Sequence, residues 1–208
     1  QEKAAASRPY AIKIKEVLSN VVSDPSVLAG LDAKKHPLLQ KREVQKVGYL
    51  VLCSDKGLAG AYSSNALKKA IAEISECEDE VVIITCGRKA RDFFTRRGFN
   101  VIQSHIGFSD RPTYENAVAI AQDAIKTFAS EGFDKLNIVY TIFKTALSQI
   151  PTSEVILPVE PPAKENDKAQ ASFMFEPGED ETLKVLAPKY LETVVSAALV
   201  QSAASELG

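Results

Sequence analysis

The chain has 208 residues, a formal net charge of −2 and a pI near 5.8, so it exerts no overall pull toward nucleic acid or anionic lipid. Its length suits one domain able to bury a core, and no apolar run approaches the ~18 residues a membrane span needs. Three cysteines (Cys53, Cys77, Cys86) without C-x-x-C spacing argue for reduced thiols rather than a disulfide framework or a zinc site. With no signal peptide in evidence, these features predict a soluble intracellular protein.

In chain order, Tyr10, Ile14, Val17, Leu18, Val21 and Val22 recur at helical spacing until Ser23-Asp24-Pro25 ends the pattern. Pro9 kinks or opens that helix by removing one hydrogen bond. Residues 24–45 read as a polar connector with one helical turn. Strand-like runs follow near 46–53, 80–86, 99–106, 135–143 and 154–159. Helix-like patterns near 64–77, 88–97 and 113–130 lie between the first four. That alternation predicts parallel βαβ units, a Rossmann-like mostly parallel sheet with helices on both faces. The last strand is expected to return through a hairpin to an edge.

Residues 160–170 are polar and proline-rich, hence a flexible loop. Leu191, Val194, Val195, Ala198, Leu199 and Ser202 then recur at helical spacing near 182–207. This seam and the N-terminal one have no sheet of their own in the linear pattern, so an antiparallel coiled coil between the two helices is expected. The expected organisation is a helix over 1–23, a connector over 24–45, an α/β domain over 46–176 and a helix over 177–208.

The stretch Tyr49–Asn65 carries the most information. A buried strand leads into Ser54-Asp55-Lys56-Gly57-Leu58-Ala59-Gly60, and Ser64 or Asn65 can cap the following helix. The layout is one that phosphate-binding proteins use, but no Lys-Ser or Lys-Thr follows the glycines, and G-x-G-x-x-G is absent. Asp55 and Lys56 stand where open α/β sheets usually bind ligands. Alternatively, Asp55 caps or turns the loop while Gly57 and Gly60 supply unusual backbone angles.

Other candidates are weaker. Cys86-Gly87-Arg88-Lys89 lies at a strand-to-helix junction that can activate a thiol, but the arginine a cysteine phosphatase needs is replaced by Asp92, which favours a buried structural cysteine. Arg88, Lys89, Arg91 and Arg96 gather opposite Ala90, Phe93 and Phe94. They read either as a dock for an acidic partner or as a solvated face, the latter favoured because no base-stacking aromatics interleave. His36 and His105 lack metal-ligand spacing, and Phe108-Ser109-Asp110-Arg111-Pro112 reads as a turn. No cofactor and no metal are expected.

Ser-Asp-Lys-Gly-Leu-x-Gly after a buried strand, closing on Ser64-Asn65, resembles the γ subunit, or central stalk, of the bacterial-type F-type rotary ATP synthase. So do Ala6-Ser7-Arg8-Pro9-Tyr10 with Lys13-Ile14, His36-Pro37-Leu38-Leu39, Leu157-Pro158, Phe173-Met174-Phe175-Glu176-Pro177 and Leu186-x-Pro188-x-Tyr190-Leu191-Glu192. The matches run in the family's order along nearly the whole chain. Lys56 stands where Arg is common in the family, and Ala59 where some members carry Cys. Against that pattern the chain lacks both ends of the shaft, and it lacks the redox-regulatory insertion of photosynthetic relatives.

The resemblance implies a non-catalytic rotor coupling transmembrane ion flow to ATP synthesis. Its expected partners are the α and β subunits of the catalytic ring, the ε subunit and the membrane c-ring, with no nucleic acid. It would be peripheral, on the cytoplasmic side of the cell membrane. Asp55, Lys56, Gly57, Leu58, Ala59 and Gly60 would meet the β subunits as a mechanical contact. Phe173, Met174 and Phe175 would face ε, unless both phenylalanines fill the core beneath the last helix. The competing reading is a small-molecule or nucleotide-binding α/β enzyme using the Ser54–Gly60 loop.

Overall fold

The structure is a computed structural model that describes residues 36–57, 60–159 and 177–207, with no side-chain detail for 177–183. Among the described residues five strands form one sheet: β1 (Lys46–Leu52), β2 (Glu80–Cys86), β3 (Val101–His105), β4 (Lys135–Thr145) and β5 (Ser148–Leu157), in the order β3-β2-β1-β4-β5. The first four are mutually parallel and β5 returns antiparallel to β4. The described helices are α1 (Tyr62–Glu76), α2 (Arg88–Arg96), α3 (Tyr114–Ala129) and α4 (Pro177–Leu207).

The apolar run of β1 reflects its central place, buried on both faces. Val47, Tyr49 and Val51 meet Ala66, Leu67 and Ala70 of α1 and Ala90 and Phe94 of α2. Leu50 and Leu52 point the other way, toward Ile120, Ala121 and Phe128 of α3 and the apolar side of α4. Period-2 alternation in one strand thus feeds two cores. The connector turns inward at the 3-10 turn Pro37–Leu39, whose Leu38 and Leu39 are buried, and the Leu38 carbonyl accepts from the Val159 N–H at 2.7 Å.

Three readings are corrected. The N-terminus of α1 is capped by neither Ser64 nor Asn65: the helix begins at Tyr62, and the Ser63 hydroxyl is committed inward, accepting from the Ser54 N–H at 3.0 Å. The return strand starts at Ser148 rather than near 154, with Pro151 tolerated because β5 is an edge among the described strands. The side of α4 carrying Leu191, Val195, Ala198 and Leu199 does have a sheet to cover, for those residues are buried with Leu136, Ile138 and Ile156. Burying each such aliphatic side chain is worth about 1.5–3 kcal/mol, so this packing binds α4 to the α/β body. The N-terminal helix expected to pair with it lies outside the described residues.

An Arg42–Asp134 clamp ties the connector to the N-terminal edge of the sheet. Asp134 accepts from Arg42 Nε at 2.9 Å and from the N–H groups of Gln45 and Lys46, while Arg42 Nη2 donates to the Phe128 and Phe133 carbonyls. The guanidinium also lies 4.1 Å from the centre of the Phe128 ring. Burial alone would raise the Asp134 carboxyl pKa, but these donors outweigh it and hold it below the ordinary carboxylate range.

Candidate functional site: the crevice at the carboxyl ends of the strands

Strand order reverses between β1 and β4, so the crevice beyond their carboxyl ends is where a doubly wound sheet usually receives a ligand. Here protein occupies it. The β1–β4 pairing ends at Val51–Val139, yet β4 runs on to Thr145, leaving the N–H groups of Thr141 and Phe143 without a β1 partner. Side chains of α4 take them: Ser202 Oγ accepts from Thr141 N at 3.2 Å and Gln201 Oε1 from Phe143 N at 2.9 Å. Buried donors need partners, and the long helix supplies them.

The loop after β1 is equally committed. Ser54, fully buried, shares a 2.8 Å hydrogen bond with Ser63 Oγ, and its carbonyl accepts from the Lys89 N–H. The Asp55 carboxylate accepts three backbone N–H groups, from Arg88 at 3.0 Å, Gly107 at 2.9 Å and Ser109 at 3.1 Å. The N-terminus of α2, where a ligand phosphate could sit, is therefore filled by the chain's own anion. Asp55 N donates to Ser109 Oγ, which in turn donates to Glu206 Oε1 at 3.2 Å, so the chain of contacts ends on α4. Burial raises the Glu206 carboxyl pKa, Ser109 lowers it, Asp110 and Asp55 raise it, and Lys56 lowers it; the balance is upward.

Gly87 makes this junction possible. Its φ is +101°, and a Cβ there would lie 2.1 Å from the Cys53 carbonyl oxygen, so only glycine lets β2 pass into α2 against β1. Gly60 has φ +57°, as expected, whereas Gly57 is not in the positive-φ region. Lys56, Gly57 and Gly60 are exposed, and Leu58 and Ala59 lie outside the described residues. Asp55 is half-buried with its carboxylate engaged by backbone N–H groups, while Lys56, Gly57 and Gly60 are exposed. Phe173, Met174 and Phe175 lie outside the described residues.

The Cys53 and Cys86 thiols are buried, and Cys77 is half-buried. Burial pushes Cys53 up to about 12 and Cys86 higher still, so neither is a thiolate at neutral pH. His105 Nε2 is 3.7 Å from Asp123, and burial lowers its pKa despite that carboxylate. Among the described residues no group of three His, Cys, Asp or Glu side chains is arranged to hold a metal ion. No helix among them is long and apolar enough to cross a membrane.

Sequence reasoning found the loop and the junction but missed Gly87 as the close approach, and Ser109, Gln201, Ser202 and Glu206 as its supports. Nothing in the spacing of a polar residue on a long helix shows that a strand 60 residues earlier lacks hydrogen-bond partners (Thr141 to Ser202 is 61 positions).

A family model described as ATP synthase matches residues 1–208. The chain is 42% identical over 211 residues to an ATP synthase gamma chain of Brevibacillus brevis, covering 100% of this chain and 71% of that one. A gamma chain of Desulfitobacterium hafniense is 38% identical over 208 residues, with the same coverage. In fold, the chain is similar to one in the central stalk/c-ring structure of the Tetrahymena thermophila mitochondrial ATP synthase. The TM-score is 0.62 at 20% identity, over 98% of this chain and 93% of that one.

Proposed function

The chain belongs to the family of ATP synthase γ chains, and on that premise we propose that it is the central-stalk rotor, a non-catalytic part that carries torque between an ion-driven ring and the catalytic subunits. The observation that carries this reading is the filled crevice. Where an α/β enzyme of this topology would admit substrate, α4 inserts Gln201, Ser202 and Glu206, and Asp55 fills the anion position at α2. A crevice so filled is a mechanical joint: rotation of the long helix is resisted by the apolar face around Leu191 and Leu199 and by polar contacts at its far end.

In this reading the exposed Lys56, Gly57 and Gly60, with Leu58 and Ala59 between them, bear on the β subunits as the rotor turns. The shaft turns within the α and β ring, ε docks on the α/β body through the Phe173–Phe175 segment, and the body sits on the membrane c-ring at the cytoplasmic side of the membrane. Chemistry stays on the catalytic ring.

Co-expression with the cognate ε, α and β subunits tests this. The chain is expected to co-purify with ε, and Lys56→Glu is expected to change ATP hydrolysis by the assembled complex while leaving ε binding intact. Tight ATP binding by the chain alone, together with failure to capture ε, would overturn the rotor reading in favour of the nucleotide-binding one.

A further inference from the structure

The chain as a whole is slightly acidic, with net charge −2, yet residues 88–97 hold five cations (Arg88, Lys89, Arg91, Arg96, Arg97) against the single carboxylate of Asp92. That carboxylate is already engaged by Arg91 at 3.1 Å. Arg88, Lys89, Arg96 and Arg97 are exposed. Such a charge run on a flat helix would be an ordinary solvated face. The tertiary structure makes it something else. Between α1 and α2 lies an open cleft of about 470 Å³, lined by Leu67, Lys89, Asp92, Phe93, Arg96 and Arg97. Its floor is apolar, from Leu67 and the half-buried Phe93. Arg97 is stacked 4.2 Å from the centre of the Phe93 ring, which fixes one guanidinium at the rim.

We propose that this cleft docks an acidic peptide segment of a partner protein, a segment that places an apolar side chain on the Leu67–Phe93 floor and carboxylates against Lys89, Arg96 and Arg97. Charge complementarity selects the sign of the partner, and the apolar floor selects its class. A nucleic-acid strand would need a row of exposed rings for successive bases to stack on, and the cleft lining offers one half-buried ring, Phe93. An anionic membrane surface would engage the cations without needing the floor. Planar guanidinium forks bind carboxylates in paired hydrogen bonds, as they do phosphates, so the apolar floor makes the choice between them. The cleft stands on its own charge and shape, and the dock would operate whether or not the chain turns as a rotor.

The test is fluorescence anisotropy of the chain with a labelled peptide of alternating Glu and Leu. Saturable binding is expected, weakening with added salt and falling about tenfold or more in the double variant Lys89→Glu/Arg96→Glu. Both side chains are exposed, so unchanged melting is expected; the neutralising pair Lys89→Gln/Arg96→Gln repeats the measurement if charge reversal perturbs folding. Lys144→Glu, on the exposed end of the β4–β5 hairpin, should leave binding unchanged. A Glu/Gly peptide should bind markedly less well. Equal binding of that peptide, or equal loss with Lys144→Glu, would overturn the dock. So would tighter, Lys89/Arg96-dependent binding of a single-stranded oligonucleotide or of phosphatidylserine vesicles, by assigning the patch to another anion.

Discussion

The hydroxyl of Ser202 accepts a hydrogen bond of 3.2 Å from the backbone N–H of Thr141, and the two residues are 4% and 2% exposed. This contact closes the one stretch of β4 that β1 does not cover. Ser202→Ala leaves a buried donor without a partner, which costs about 1–3 kcal/mol. The loss should be local before it is global. Amide hydrogen exchange at Thr141 should accelerate more than at Ile138, which remains inside the β1–β4 ladder. Uniform acceleration across the sheet would count against the capping role.

Two glycines in neighbouring loops should behave oppositely. Gly87→Ala meets the Cys53 carbonyl at 2.1 Å with φ at +101°, and is expected to destabilise by about 3 kcal/mol or to prevent folding. At Gly57 the nearest atom to an added Cβ is Lys89 Cε at 3.8 Å, an ordinary contact. Gly57→Ala should stay within about 0.5 kcal/mol of the parent in urea unfolding.

The Arg42–Asp134 clamp gives an acid limb to stability. The folded-state pKa of Asp134 is lowered, so its contribution is fully present above the unfolded carboxylate value of about 4 and is lost as pH falls through the lower folded value. Arg42→Ala frees the Phe128 and Phe133 carbonyls and removes the carboxylate's charged partner, a loss of about 2 kcal/mol at neutral pH. Chemical denaturation from neutral pH downward should show the parent's advantage over Asp134→Asn shrinking in that window. A constant difference would mean Asp134 acts through shape alone.

Glu206 should show the reverse sign. Its folded pKa is raised, chiefly by burial, so the stability tied to its protonated form is present below the unfolded value and lost as pH rises through the folded one. Glu206→Gln, which keeps the shape and removes the charge near Asp55 and Asp110, should melt higher than the parent near neutral pH. The two should converge below about pH 4. A lower melting point for Glu206→Gln at neutral pH would show that the ionised carboxylate is needed at the joint.

Local sequence rules set most of the elements. Alternation and helical spacing placed four parallel strands and α1 to α3 within a few residues of their observed ends, because each of those segments buries its apolar face against its chain neighbours. The glycine loop was legible for the same reason: Gly60 must take a left-handed angle, and no phosphate-gripping lysine follows. Whether the apolar side of α4 meets a sheet or another helix is not written in its spacing, since both surfaces accept the same stripe. Packing decided it, placing Leu191, Val195 and Ala198 in one core with Leu136 and Ile138 of β4 and with Ala117 and Ile120 of α3. Tertiary structure alone likewise turned the Asp55 carboxylate inward, since Arg88, Gly107 and Ser109 come together only when β2 and β3 line up beside β1. Sequence can name a carboxylate at a strand end. Which N–H groups stand in front of it depends on register between strands far apart in the chain, and that is fixed only when the sheet is assembled.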